Sequence, residues 1–384
     1  MKKTFIRLAV TLILISSSIN GLFAQLNPNN TNLSGGTVNT IFTAVPFLRI
    51  TPDARSGAMG DVGIALSPDA YSIYWNTAKL AFAENQASAA LTYTPWLRQL
   101  VNDIYLASLS GYYKLDEDQA ITTSLRYFSL GQIQFTNQQG QFIQNFNPRE
   151  FAWNVGYARK LSDNFSIGLN LAYIYSNLAA GQQVNGVVIK AGNAAAGDLS
   201  LAYSKNIGKD KWNWGITIAN IGSKITYTQS AETKDFLPTN LGVGSGYTFN
   251  FDEFNKLTLI AEVNKLLVPT PDSLGTFRQK SVPEGIFGSF GDAPEGGREE
   301  LREISISAGA EYWYKNLLAI RAGYFNESRF KGNRRYLTAG LGIKYNVFGL
   351  NFSYLIPTSN QRNPLDNTLR FSLVFDFKDF SKTE

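Results

Sequence analysis

The stretch SIGLNLAYIY, residues 166–175, decides the class of fold. Ile167, Leu169, Leu171, Tyr173 and Tyr175 share one face of an extended chain, and Ser166, Gly168, Asn170 and Ala172 share the other. A period of two, with one apolar face and one small or polar face, belongs to a β-strand and not to a helix. The pattern returns in Leu337, Ala339, Leu341, Ile343 and Tyr345 against Thr338, Gly340, Gly342 and Lys344. It returns again in Leu369, Phe371, Leu373, Phe375 and Phe377 against Arg370, Ser372, Val374 and Asp376.

Followed along all 384 residues, the alternation predicts strands at 87–94, 104–114, 119–128, 150–160, 165–175, 197–205, 212–220, 239–249, 256–265, 303–313, 317–325, 336–345, 348–355 and 368–377. Most have the roughly nine to eleven residues that a tilted strand needs to span a bilayer. The connections sort by parity: about 9, 21, 21, 18, 37, 10 and 12 residues after odd strands, about 4, 4, 6, 6, 3 and 2 after even ones, as in outer-membrane barrels. A secreted β-sandwich or propeller has no reason for such sorting, and would expose many unpaired aromatics among 26 Phe, 19 Tyr and 6 Trp. The expected fold is therefore all-β: a 14-stranded antiparallel transmembrane barrel, closed by an even strand count so that no edge meets lipid.

The chain opens with Lys2, Lys3 and Arg7, followed by the short apolar run Leu8–Ile15 and a small residue, Ala24. This reads as a cleavable signal peptide at 1–24, with a mature start at Gln25, rather than a spanning helix. The expected organisation is then 25–86 as an N-terminal periplasmic extension and hatch, and 87–380 as an outer-membrane barrel with long extracellular loops. Removing the three basic leader residues lowers the formal charge of +5 to about +2, so the pI near 9.1 points to no nucleic-acid partner. With no Cys there is no disulfide framework. With no His either, Ser-His-Asp catalysis and the usual zinc and copper ligand sets are removed, which points away from an enzyme. The apolar final strand resembles the assembly signal of outer-membrane proteins, with Phe377 or Phe380 serving ahead of the tail Ser381–Glu384.

One stretch breaks the rhythm: PDARSGAMGDVGIALSPDAYSIYWNTAKLAF, residues 52–82. Fourteen strands leave a lumen, and this compact segment just before the first strand suits a plug. Gly57, Gly60 and Gly63 permit tight turns and close backbone approach. Asp69 suits the cap of a short helical run, Ala70–Trp75, and Tyr71, Tyr74 and Trp75 offer apolar anchors with polar tips. Arg126, Glu262, Arg321, Lys344 and Arg370 fall on inward faces of their strands; Asp53, Asp61 and Asp69 are available to pair with them, although a wet lumen also tolerates single charges.

The string FLRITPDARSGAMGDVGIALSPDAYSIYWNTAKLAF, residues 47–82, resembles the hatch of FadL-type fourteen-stranded barrels. It is still more similar to the PorV/PorQ family of type IX secretion outer-membrane proteins, through DARSGAMG and through PDAYSIYWN ending at Asn76. The usual Pro after that Asn is Thr77 here. The resemblance implies a non-enzymatic component that needs no cofactor. It implies as partners a SprA/Sov-type translocon barrel, secreted cargo carrying a C-terminal signal domain, PorU/PorZ-type attachment proteins and outer-membrane lipid. The alternative it leaves open is a FadL-type importer of hydrophobic compounds.

Two loops are unusually apolar. AAGQQVNGVVIKAGNAAAG, residues 179–197, holds Val187, Val188 and Ile189; PEGIFGSF, residues 283–290, holds Ile286, Phe287 and Phe290. They are candidate partner contacts, or they fold down over the barrel mouth. Asp292, Glu295, Glu299 and Glu300 read as a solvated loop or, less well spaced, a calcium site. GVGSGYTF, residues 242–249, lies within a strand with no following helix, so it is no phosphate loop.

Overall fold

The computed structural model describes residues 39–97, 101, 103–136, 139–184, 187–228, 234–272, 275–359 and 367–378. The expected signal peptide, Gln25, Phe380 and the tail Ser381–Glu384 lie outside the described residues.

Fourteen strands close into one antiparallel barrel. They are β1 (Ala87–Pro95), β2 (Ile104–Lys114), β3 (Gln119–Leu130), β4 (Arg149–Ser162), β5 (Phe165–Asn177), β6 (Gly192–Ile207) and β7 (Asp210–Gly222). The ring continues with β8 (Asn240–Asn250), β9 (Asn255–Leu266), β10 (Ile304–Tyr314), β11 (Leu318–Asn326), β12 (Arg335–Tyr345), β13 (Phe348–Pro357) and β14 (Leu369–Phe377). Each pairs with its neighbours in sequence, and β1 closes the ring on β14 from Ala87↔Phe377 to Tyr93↔Phe371. Every strand thus has two partners, which satisfies the backbone where lipid offers no hydrogen bonds.

The alternating residues sort as expected. Leu109, Leu125, Leu171, Val243, Ile320, Leu341 and Phe371 are exposed on the outer face, while Ser110, Ser124, Asn170, Ser353 and Ser372 are buried within. Aromatic rings mark both ends of this apolar belt. Tyr93–Tyr105 (5.5 Å) and Phe151–Tyr175 (5.1 Å) pack towards the long loops; Tyr203–Trp214 (5.6 Å) and Phe348–Phe375 (5.4 Å) pack towards the short turns. Rings of this kind sit at the two membrane–water boundaries of outer-membrane barrels.

Two details differ from the reading of the sequence. β6 begins at Gly192 rather than 197, because the tract GNAAAG has alternating burial but no large side chain to announce it; the register shifts between Gly197 and Leu199. The β3–β4 connection is also built: Ile133–Thr136 and Phe142–Phe146 pair as a separate hairpin.

In detergent the protein should show β-dominated circular dichroism and migrate faster unheated than boiled on a denaturing gel. A helix-dominated spectrum, or full solubility without detergent, would reject the barrel.

Candidate functional site

The segment Ile41–Ala83 lies within the ring. Its groups bond or press against inward-facing residues of strands all the way round, which only a body inside a closed barrel can do. Tyr71 Oη meets Thr92 Oγ1 of β1, Ser110 Oγ of β2 donates to Ala70 O (2.6 Å), and Ser200 Oγ of β6 accepts from Ala78 N (3.1 Å). Thr338 Oγ1 of β12 accepts from Gly60 N, and Ser372 Oγ of β14 from Ala54 N, both at 2.8 Å.

The wall admits the segment because it carries glycine at the contacts. A Cβ on Gly323 would lie 2.0 Å from Met59 C, one on Gly309 2.5 Å from Met59 O, and one on Gly168 2.4 Å from Ala78 N. The inward Gly242, Gly244 and Gly246 of the GVGSGYTF stretch face Ile64 and Ala65, so these glycines serve packing. On the segment itself, Gly60 has φ +77° and no room for a Cβ against the Tyr324 backbone. Gly63 lies under the Trp75 ring, and Gly57 under the Arg370 guanidinium.

The chain passes from one mouth of the barrel to the other. Asn39 N donates to Phe330 O, and Ala44 N to Phe236 O, both in long connections. Val45, Phe47, Leu48 and Ile50 then pack with Leu106, Phe128, Ile174, Phe325 and Leu355 near the long-loop ends of their strands. Met59, Val62, Ala65 and Leu66 follow against Ile260, and Leu80, Ala81 and Ala83 finish among Tyr112, Ala120 and Ala158 near the short turns. The first described residues of the expected extension and hatch, Asn39–Arg49, thus lie at the long-loop mouth. The sequence shows only that the segment precedes β1, not which way it runs.

Inward charges hold the segment, unevenly. Glu262 accepts the Gly63 and Ile64 N–H groups, each at 2.5 Å. Arg321 Nε donates to Glu311 (2.7 Å), and Glu311 receives Arg55 through two bonds of 2.8 and 3.0 Å. Arg55 also reaches Asp69 at 3.0 Å. Arg126 donates to Leu48 O at 3.2 Å and lies 4.7 Å over the Tyr74 ring. Arg370 is fully buried, 3.9 Å from Asp61, whose other oxygen accepts the Tyr336 hydroxyl (2.5 Å). Lys344 instead bonds Asp376 on β14 and takes no part in holding the segment. Glu311 escaped the sequence reading; its inward parity in ISISAGAEYWY was the available signal.

The smaller elements follow local chemistry. Asp53 caps the turn Ala54–Gly57 by accepting Ser56 N (2.7 Å) and also receives Trp75 Nε1 (2.9 Å). The expected helical run 70–75 is the single turn Ser72–Trp75, and Asp69 accepts Tyr71 N ahead of it. Asn76 Nδ2 donates to Leu201 O of β6 (2.9 Å) and Ile64 O (3.2 Å). Thr77 opens the 3-10 turn Thr77–Phe82.

A chamber of about 130 Å³ separates the upper and lower parts of the segment. Arg126, Arg370, Asp61, Asp198, Asn154, Asn170 and Asn240 contribute to its lining. Leu48, Ile50, Ile64, Ile73, Trp75 and Phe325 line it as well, so its walls are mixed.

At the long-loop mouth the β9–β10 connection, 267–303, is tied down by ion pairs. Lys265 meets Glu300 (2.9 Å) and Glu303 (2.5 Å), while Lys331 meets Glu299 (2.5 Å) and Glu303 (3.0 Å). Asp292 pairs with Lys280 and Glu295 with Arg302. The loop expected to be solvated is thus cross-linked by charge, with Glu299 buried. Nearby, Glu327 clamps Arg334 (2.8 Å) and reaches Arg49 (3.6 Å). Burial opposes its ionisation, but Arg334 and Arg49 outweigh that and hold its carboxyl below the usual range.

Of the apolar loop candidates, Val187 and Val188 are exposed in a two-residue strand, and Ile189 bridges to Thr228. Val282–Gly288 is a short helix with a capping box at Ser281 and Glu284. Phe287 (78% exposed) and Phe290 stand out from this region, with Ile286 half-buried. The hairpin of the β3–β4 connection adds exposed Phe142 and Ile143, which its mixed sequence had hidden.

A closed fourteen-stranded barrel with an apolar belt and a segment threaded through its lumen defines an outer-membrane barrel protein. The family model described as Type IX secretion system protein PorV matches residues 34–273, so the chain belongs to the PorV family and is an outer-membrane component of type IX secretion. Among curated proteins no sequence match is found. Among solved structures it is similar to the P. putida toluene transporter TodX, with TM-score 0.50 and 13% identity over 85% of this chain and 99% of that one. A Pseudomonas aeruginosa FadL homologue has TM-score 0.46 and 9% identity over 88% and 100%. At 13% identity the likeness to TodX speaks for the fold alone.

Two outcomes follow. Glu311→Ala leaves Arg55 and Arg321 buried without their shared carboxylate, a change of about 3–5 kcal/mol; the folded, fast-migrating band should convert at a clearly lower temperature than in wild type. Glu327, with a depressed folded pKa, contributes stability above its unfolded value of about 4.3 that is lost as pH falls through the folded value. Hydrogen exchange at residues 47–50, corrected for intrinsic rates, should accelerate as acid protonates Glu327. The same step appearing in Glu327→Gln would exclude this carboxylate as its cause.

Proposed function

We propose that the protein works through its long-loop face, as a docking barrel that binds the translocon and C-terminal-signal cargo and passes cargo to the surface attachment complex. The observation that carries this reading is the combination of an occupied lumen with a loop face bearing exposed Val187, Val188, Phe287 and Phe290. Exposed apolar clusters rimmed by charge mark protein contacts. The segment Ile41–Ala83 acts as the hatch, keeping the barrel tight while the loops engage partners. The cleavable leader at 1–24 would deliver the chain to the outer membrane.

The FadL-type alternative, import of a hydrophobic compound, draws support from the fold it shares with the toluene transporter TodX. It requires an open path, whereas the lumen is crossed by the segment Ile41–Ala83, packed to backbone contact against the wall. The occupied lumen favours the docking reading.

Burying side chains such as Ile286 and Phe287 at an interface contributes roughly 1.5–3 kcal/mol each before ordering costs. Val188→Asp and Phe287→Asp, tested separately, should each weaken translocon or cargo pull-down by about tenfold or more, at 1.4 kcal/mol per decade. Heat-modifiability should stay normal. Unchanged pull-down and secretion in both variants would remove these loops from the mechanism. Normal secretion without the whole protein, with uptake of a hydrophobic compound lost instead, would favour the importer.

A further inference from the structure

The short-turn mouth carries a second constellation that neither the loops nor the hatch explains. Lys114 ends β2, Lys160 lies near the end of β4, and Lys211 lies near the start of β7; all three line one pocket of about 210 Å³. Strand parity turns them inward. Lys114 follows Ser110 and Tyr112, Lys160 follows Asn154 and Ala158, and Lys211 precedes Gly215 and Thr217, all residues of the inner face. Asn164 and Asn206 add polar donors, and Ala81–Ala83 form the floor.

The lining itself carries an excess of positive charge. Three ammonium groups meet one lining carboxylate, Asp163; Asp118, 3.6 Å from Lys160, is largely exposed on its turn. Of the other acidic side chains at this end, Glu84 and Glu117 lie outside the lining, Glu117 acting on Lys114 from beside it, and three more bond within their own turns. Asp116 accepts Asp118 N and Gln119 Nε2, Asp252 accepts Phe254 N and Asn255 N, and Asp210 accepts Asn250 N. Lys114 is held in place by donating to Ala83 O (3.0 Å), which fixes one cation at the root of β1.

We propose that this pocket binds an acidic peptide segment of a periplasmic protein, with Lys114, Lys160 and Lys211 receiving its Asp or Glu side chains. Short turns face the periplasm in outer-membrane barrels. Inward orientation favours a peptide entering the mouth over lipid headgroups, which surround the outer perimeter. Contacts of this kind steer association and weaken with salt. The inference stands independently of how the long-loop face is used.

The test uses the full-length barrel in nanodiscs of zwitterionic lipid, with fluorescein-labelled hexaglutamate as the probe and anisotropy as the readout. Wild type should bind saturably and more weakly as salt rises. K160Q/K211Q should weaken binding tenfold or more, with unchanged heat-modifiability. Lys205→Gln makes the same kind of charge change at the same rim, on the outward face of β6, and should leave binding intact. If the double variant fails to fold, K160Q and K211Q singly give the same comparison. Absence of saturable binding, or equal weakening by Lys205→Gln, would overturn the proposal. It would also be overturned if phosphatidylglycerol in the disc, or inorganic phosphate at matched ionic strength, displaced the probe from wild type. The lysines would then be reading a phosphate group.

Discussion

Closure of the hydrogen-bonded ring between β1 and β14 is the constraint on which everything else rests. In hydrocarbon an unpaired strand edge leaves several backbone groups without partners, each at a cost of several kcal/mol. Pairing Ala87–Tyr93 with both β2 and β14 removes the edge, and in doing so creates an interior that must be filled or left open. The chain fills it with its own N-terminal segment. Filling needs the wall and the segment to approach to backbone contact, and that explains why glycines line the inner face where Met59, Ala78 and Ile64 arrive. The glycines of the wall and the small residues of the segment are two halves of one packing problem.

Charge then sets where the segment sits. Small apolar residues slide past glycine with little preference, but a buried ion pair has one geometry. Glu311 between Arg55 and Arg321, and Glu262 beneath the Gly63–Ile64 amides, pin the segment to the neighbouring strands β10, β11 and β9. Glu327 with Arg49 does the same at the upper mouth. Removing one partner strands the other charge in a buried site, so these groups register the segment more than they glue it.

Much of the barrel was legible because a strand with lipid on one side and small polar groups on the other writes its own period. SIGLNLAYIY needs no tertiary information to be read. β6 was read short because Ala194 and Ala196 face inward with no large outward partner, so the alternation lacked contrast. The hairpin Ile133–Thr136 with Phe142–Phe146 lies outside the membrane, where nothing enforces a clean pattern. The segment was recognisable as a unit from its broken rhythm and small residues. Its direction through the barrel was not, since that depends on Asn39 and Ala44 meeting Phe330 and Phe236, nearly two hundred residues away or more. The ion pairs of loop 267–303 were hidden for a related reason. Glu299 and Glu300 look solvated until Lys331 and Lys265 are brought to them by the β11–β12 connection and β9.

The same features bear on what kind of work the barrel can do. A lumen crossed by a segment packed to backbone contact against its wall keeps a chamber of mixed polar and apolar lining and no open bore along that segment. What is left for recognition lies at the ends. One end presents apolar side chains on loops stiffened by buried ion pairs and a capped helix, which lowers the ordering cost of contact. The other presents inward lysines anchored beside the root of β1. A barrel whose middle is occupied and whose two mouths differ in chemistry presents a different surface at each end, and membership of the PorV family places that arrangement within protein secretion.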